Sequence, residues 1–214
     1  MIKAVLFDLD GTLLDTSIDI YNALNYALTS YGFKSISIDE AIAYTGDGNR
    51  NLVLKSLDHN ADDETFEKVF TLFKKTYFEN TINNTYIYSG MLETLKELKE
   101  DGYKLAVVSN KMDFLTQKII KHYFGDLFDF VTGGREDIKL KPNPDIIYYA
   151  LDKLGVSNTE AVYVGDSYGD YKTSLNANIK SIIVTYGFRS RKFLSSKGAE
   201  TLIDSPKELL KLIK

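Results

Sequence analysis

"VLFDLDGTLLDT", Val5 to Thr16, decides how this chain of 214 residues is read. Ala4-Val5-Leu6-Phe7 is continuously apolar, as in a strand buried on both faces, yet it runs directly into Asp8 and Asp10. Two carboxylates at D-x-D spacing repel one another, so the arrangement costs free energy unless a cation or a shared proton compensates. Three more short apolar runs resemble the first: Lys104 to Val108, Ala161 to Val164 and Ser181 to Val184. Unbroken rather than alternating apolarity predicts parallel strands covered by helices. Helical patterns lie between them, with Leu92, Leu95 and Leu98 in one and Ile146, Ile147, Ala150, Leu151 and Leu154 in another. Asp101-Gly102 and Leu154-Gly155 read as helix ends. Strands alternating with helices predict an α/β protein with a doubly wound, Rossmann-like parallel sheet.

The stretch Asp15 to Ser89 interrupts that rhythm. It shows no convincing strand and carries two helical stripes, Ile20, Leu24, Ala27, Leu28 and Tyr31, then Phe66, Val69, Phe70, Phe73 and Tyr77. Such stripes are packing seams. The expected organisation is an α/β core of residues 1–14 and 90–214 with a small α-helical domain, 15–89, inserted after the first strand. Arg189, Arg191 and Lys192 are expected in a solvated loop.

Composition narrows the function classes. With 26 Lys+Arg against 30 Asp+Glu, the net charge of −4 disfavours binding to nucleic acid or to anionic membranes. The chain has no cysteine, which excludes disulfides and thiolate metal sites. No apolar stretch approaches the roughly 18 residues that span a bilayer, and Met1-Ile2-Lys3 leaves no room for a signal peptide. The expectation is a cytoplasmic protein, a monomer or weak homodimer, acting on a small molecule.

Polar groups recur just past the predicted strand ends: Asp8 and Asp10, then Ser109-Asn110, then Asp166 with Asp170 four residues on. Lys141, in Lys139-Leu140-Lys141-Pro142-Asn143-Pro144, stands ahead of a helix. Open α/β sheets bind ligands at the carboxyl ends of their strands. Each feature alone is commonplace; their coincidence on one sheet edge is not. Oxygen donors without Cys or suitably spaced His select a hard cation such as Mg²⁺. Held by Asp8 and Asp166, it would offset the repulsion. Ser109, backbone amides and Lys141 would then surround a phosphoryl group. Asp8 can accept that group as a nucleophile, and Asp10 can serve as acid and base.

Asp8-Leu9-Asp10-Gly11-Thr12, Ser109-Asn110, Lys141-Pro142 and Gly165-Asp166-Ser167-Tyr168-Gly169-Asp170 resemble, in order, the four motifs of the haloacid dehalogenase-like hydrolases. "GMLETLKELKEDGYKLAVVSNK", "KLKPNPDIIYYAL", "VYVGDSYGD" and "VTYGF" are similar to the phosphoglycolate phosphatase group, and "TGDGNRNLVLKSL" to its glycine-rich substrate loop. The resemblance implies a Mg²⁺-dependent phosphatase acting on a small phosphorylated metabolite through an aspartyl-phosphate. It implies metal ligation by Asp8, Asp166 and the Asp10 carbonyl, with Asp170 supporting the metal site. Asp8, Asp10, Ser109 and Lys141 form the catalytic set; Gly11, Thr12, Asn110, Gly48 and Arg50 form the substrate-binding set. Arg50 has two readings, a solvated first-turn residue or a fork for a second anionic group.

The sequence departs from the family pattern in three places. A proline is missing before Gly90, Asn176-Ala177-Asn178 replaces an alanine-glycine helix ending, and Met112 replaces a proline. The alternatives are a sugar-phosphate mutase or pyrophosphatase on the same scaffold, a catalytically silent scaffold, or a phospho-accepting receiver domain.

Overall fold

The structure, a computed structural model, describes residues 1–213. In chain order the elements are β1 (Ala4–Phe7), β2 (Leu14–Asp15), α1 (Ser17–Ser30), α2 (Ile38–Tyr44), α3 (Asn49–Ser56), α4 (Asp63–Asn80), β3 (Tyr86–Ile87), α5 (Met91–Glu100), β4 (Lys104–Met112), α6 (Asp113–Phe124) and β5 (Phe130–Gly134). There follow α7 (Asp145–Leu154), β6 (Ala161–Gly165), α8 (Tyr168–Asn176), β7 (Lys180–Val184), α9 (Arg191–Ser196), β8 (Leu202–Ile203) and α10 (Glu208–Ile213).

Six strands form one parallel sheet in the order β5-β4-β1-β6-β7-β8. Its central strand is the apolar run that opens the chain. Alternate side chains along a strand point to opposite faces. Val5, Phe7, Leu105, Val107, Val162 and Val164 accordingly pack with α5, α6 and α10. Leu6, Ala106, Val108 and Tyr163 pack on the other side with α7. Both faces are covered, which explains the unbroken apolarity of the strands. β5 and β8 escape the sequence reading for local reasons. Phe130-Val131-Thr132-Gly133-Gly134 ends in two glycines, poor strand formers, and β8 has two residues.

The helices α1 to α4 have their own core, containing Leu24, Leu28, Val53, Val69, Phe73 and Tyr77. Leu115 of α6 joins it, so this helical cap is seated on the sheet unit. Both predicted stripes are buried except Tyr31, which lies just past the end of α1 and is exposed. The expectation of no strand between Asp15 and Ser89 needs one correction. Leu14-Asp15 pairs antiparallel with Ile87-Tyr86, forming a ribbon where the chain leaves and re-enters the sheet unit. Two-residue strands leave no periodic signature. Buried Asp19 ties the crossing together, accepting hydrogen bonds from the Asn84 and Thr85 amides and from the Thr85 hydroxyl. Among the described residues no helix is long and apolar enough to cross a membrane.

Candidate active site

The carboxyl ends of β1, β4 and β6 meet under the helical cap. Asp8 follows β1, Asp166 follows β6, and Ser109, Asn110 and Lys111 lie in the C-terminal half of β4, which runs four residues further than its sequence suggests. Asp8, Asp10, Ser109, Asn110, Lys141 and Asp166 line one cavity with Gly46, Gly48, Asn49 and Leu52 of the cap. Its free volume is about 30 Å³, room for roughly two waters.

Lys141 organises the acidic cluster. Its Nζ lies 2.8 Å from Asp8 Oδ1 and 2.7 Å from Asp170 Oδ1, and donates to the Tyr163 hydroxyl at 2.8 Å. Tyr163 in turn donates to Asp170 Oδ1 at 2.7 Å. Asn110 fixes the loop bearing Lys141: its Oδ1 accepts from the Lys141 amide and its Nδ2 donates to the Lys141 carbonyl. The same Nδ2 donates to the Gly46 carbonyl of the cap. Ser167 caps α8 and donates through its amide and hydroxyl to Asp170 Oδ2.

Carboxylate oxygens of Asp8, Asp166 and Asp170 lie within 4.8 Å of one another, and all three residues are buried. Burial, then the Asp170 charge, raises the Asp8 pKa to about 7 against the opposing pull of Lys141. Burial and the charges of Asp170 and Asp8 push Asp166 well above the usual carboxylate range. Burial would raise Asp170 too, but the Lys141 ammonium and the Ser167 and Tyr163 hydrogen bonds hold it low. Lys141 stays charged, since Asp170 and Asp8 outweigh its own burial. One ammonium thus faces three carboxylates, and two of them resist ionisation. A hard divalent cation fits this all-oxygen set, with Asp8 and Asp166 as its carboxylate ligands. Asp170 has both oxygens engaged by Lys141, Tyr163 and Ser167, and holds Lys141 against this set.

Close backbone packing builds the rest. Gly11 has φ +79°, and a Cβ there would lie 2.3 Å from Asp166 Oδ2. A Cβ on Gly187 would meet the Gly11 carbonyl at 2.0 Å. Glycine is therefore required at both positions. The Phe188 amide then donates to Asp166 Oδ2 at 2.8 Å.

Three expectations change. Gly11 and Thr12 were expected in the substrate-binding set, but their amides are engaged within the chain, Gly11 N donating to the Leu14 carbonyl and Thr12 N to that of Leu9. Both close the turn after Asp8 instead. Arg50, read either as a solvated first-turn residue or as an anion fork, stands outside the cavity. It pairs with Glu67 at 2.7 Å, lies over the Phe66 ring and borders an adjoining cleft. Exposed pairs of this kind contribute little. Arg50→Ala is therefore expected to change kcat/KM by less than about threefold on both p-nitrophenyl phosphate and a dianionic metabolite. A selective loss of tenfold or more on the metabolite would restore the anion-fork reading.

The third change concerns Arg189, which is no solvated loop residue. Its guanidinium donates to the carbonyls of Ile42, Ala43 and Thr45 at the C-terminal end of α2, clasping the cap from the sheet unit. A cation there also suits the negative end of the helix dipole. Lys111 and Thr16, which contact Asp10, were given no role in the sequence reading, and Tyr77, which braces Lys111, was read there only as part of a packing seam.

A family model described as haloacid dehalogenase-like hydrolase matches residues 5–184. A phosphoglycolate phosphatase of Aquifex aeolicus is 34% identical over 99% of this chain and 96% of its own length. One from Aliivibrio fischeri is 30% identical with the same coverage. A crystal structure of a provisionally named phosphoglycolate phosphatase from Lactobacillus delbrueckii subsp. bulgaricus superposes with a TM-score of 0.93 at 32% identity, covering 99% of this chain and 98% of that one. The receiver-domain and silent-scaffold alternatives give way to these likenesses. The chain belongs to the haloacid dehalogenase-like hydrolase family, and within it is a phosphatase of the phosphoglycolate phosphatase-like group.

Proposed function

We propose that this phosphatase is Mg²⁺-dependent and hydrolyses a small phosphomonoester, of the phosphoglycolate type, through an aspartyl-phosphate on Asp8. The observation that carries the reading is the buried Asp8–Lys141–Asp170 chain with Asp166 and Asp10 in the same cavity. Mg²⁺ bound by Asp8, Asp166 and the Asp10 carbonyl would neutralise charge on the phosphoryl oxygens. Ser109, the Asn110 region and Lys141 surround the same group as hydrogen-bond donors, with Gly48 closing over it from the cap.

An Asp8 carboxylate oxygen attacks phosphorus while the bond to the leaving oxygen breaks, and Asp10 gives that oxygen its proton. Water then attacks the phosphorylated Asp8, Asp10 takes the proton, and the P–O bond to Asp8 breaks to release inorganic phosphate. The small free volume implies that residues 15–89 act as a lid that lifts to admit substrate and then excludes water. The Leu14-Asp15/Tyr86-Ile87 ribbon is the natural hinge, and Arg189 and Asn110 hold the closed position.

The test is turnover of the purified protein on a panel of phosphometabolites. The highest kcat/KM is expected on short anionic phosphomonoesters such as 2-phosphoglycolate. Preference for inorganic pyrophosphate, or isomerisation of a sugar phosphate without phosphate release, would replace this reading with one of its alternatives.

A further inference from the structure

Lys111 performs none of the steps above, yet its side chain is only 1% exposed. Its Nζ lies 2.8 Å from Asp10 Oδ1 and donates to the Tyr77 hydroxyl at 2.7 Å. A buried ammonium is tolerated only where good geometry repays its lost hydration. Here the partners come from separate parts of the chain. Lys111 is on β4, Tyr77 on α4 of the cap, and Thr16, which donates to the same Asp10 Oδ1 at 2.6 Å, stands at the start of α1. Tyr77 is itself fully buried and stacked on Phe73 at 5.7 Å, so its hydroxyl is fixed. Both contacts to Asp10 fall on Oδ1, which leaves Oδ2 as the oxygen free to exchange a proton with a reacting group.

We propose that Lys111 is a positioning residue: braced by Tyr77, it anchors Asp10 through Oδ1 so that Oδ2 takes the proton of the water attacking phosphorylated Asp8. This rests on the reading of Asp10 as the base. In that step the water oxygen bonds to phosphorus and one water proton passes to Asp10 Oδ2. The P–O bond to Asp8 breaks with its electron pair returning to the Asp8 carboxylate. The first half-reaction has a different demand, because p-nitrophenolate leaves without needing a proton. Loss of Lys111 should therefore slow the hydrolysis of the phosphorylated enzyme and spare its formation from p-nitrophenyl phosphate. A purely structural lysine would slow both.

The experiment is rapid mixing of Lys111→Met, Tyr77→Phe and, for reference, Asp10→Asn with p-nitrophenyl phosphate. Lys111→Met should show a burst approaching one p-nitrophenolate per enzyme. Its kcat should fall roughly 10- to 100-fold while kcat/KM stays within about threefold. Tyr77→Phe should show the same split with a smaller fall in kcat, roughly three- to tenfold. Parallel falls in kcat and kcat/KM without a burst, or no change, would overturn the proposal. Should Lys111→Met fail to fold, Tyr77→Phe decides alone by the same criteria. Asp10→Asn separates the two levels of the argument. If it shows no burst, the base assignment of Asp10 fails. If it does while the other two behave as wild type, only the role of Lys111 falls.

Discussion

Asp8→Asn is expected to reduce turnover of any phosphomonoester to background, a loss on the order of 10⁴-fold or more, as for other nucleophiles that act with their partners as a unit. An amide oxygen is a far weaker nucleophile than a carboxylate and cannot form the same acyl phosphate. The fold should survive the change. Asp8 is buried with its pKa raised to about 7, chiefly by burial and by the Asp170 charge, so the wild-type carboxylate is an electrostatic liability in the metal-free protein. Asparagine removes that charge at nearly constant volume, and the melting temperature of the metal-free variant should equal or exceed that of the wild type at pH 8. Retention of a tenth of wild-type activity would show that Asp8 is not the nucleophile.

Removing the metal should be nearly as damaging. Exhaustive chelation is expected to cost roughly 10³-fold or more, since several kcal/mol of charge stabilisation disappear with the cation. Mg²⁺ should restore activity, and Ca²⁺, with its larger and looser coordination shell, should not. The same cluster predicts a pH dependence of Mg²⁺ binding. Asp8 has an unperturbed value of 3.8 and about 7 in the fold, and Asp166 is shifted in the same direction. Between about pH 4 and 7 the metal-free folded state therefore holds protons that the unfolded chain has released. Its stability falls as pH rises through that window, by linkage. Mg²⁺ must displace those protons, so its affinity should climb with pH through the Asp8 range near 7. Stabilisation by ligand follows RT ln(1 + [L]/Kd). A fixed Mg²⁺ concentration should thus raise the melting temperature more at pH 8 than at pH 5.5. Equal shifts at the two pH values, or full activity after chelation, would contradict the metal assignment.

What could be read from the chain, and what could not, divides along sequence distance. β1 and its two carboxylates are a local pattern, because burial of both faces of a parallel strand leaves a continuous apolar run and the strand end follows it directly. Asp166 after β6 and Ser109 within β4 are legible for the same reason. Lys141 was legible as a helix-start residue, and the fold adds its bridge from Asp8 to Asp170. The contacts that join cap to sheet were not legible. Tyr77 and Lys111 are 34 residues apart in the chain, and Arg189 reaches a carbonyl 147 residues away. No periodicity records such a pairing. In composition Arg189, between Phe188 and Ser190, looks like any surface loop. Of the two readings of Arg50, its exposed pair with Glu67 matches the solvated one. Its place after Gly46-Asp47-Gly48-Asn49 suggested a substrate contact, but α3 turns the side chain toward Glu67 on α4. Gly11 and Thr12 show a related limit: a motif names the residues of a turn, but only the fold shows that the turn itself consumes their amides.

The central claim is that the phosphoryl group passes through Asp8. Its most direct test is acid quenching of the Asp10→Asn variant during turnover of p-nitrophenyl phosphate with Mg²⁺, followed by mass spectrometry of the proteolysed chain. The account predicts near-stoichiometric phosphorylation on the peptide containing Asp8, absent from the Asp8→Asn protein treated identically. An unmodified Asp8 peptide at a time when p-nitrophenolate is being released, or a phosphoryl group on another residue, would contradict it.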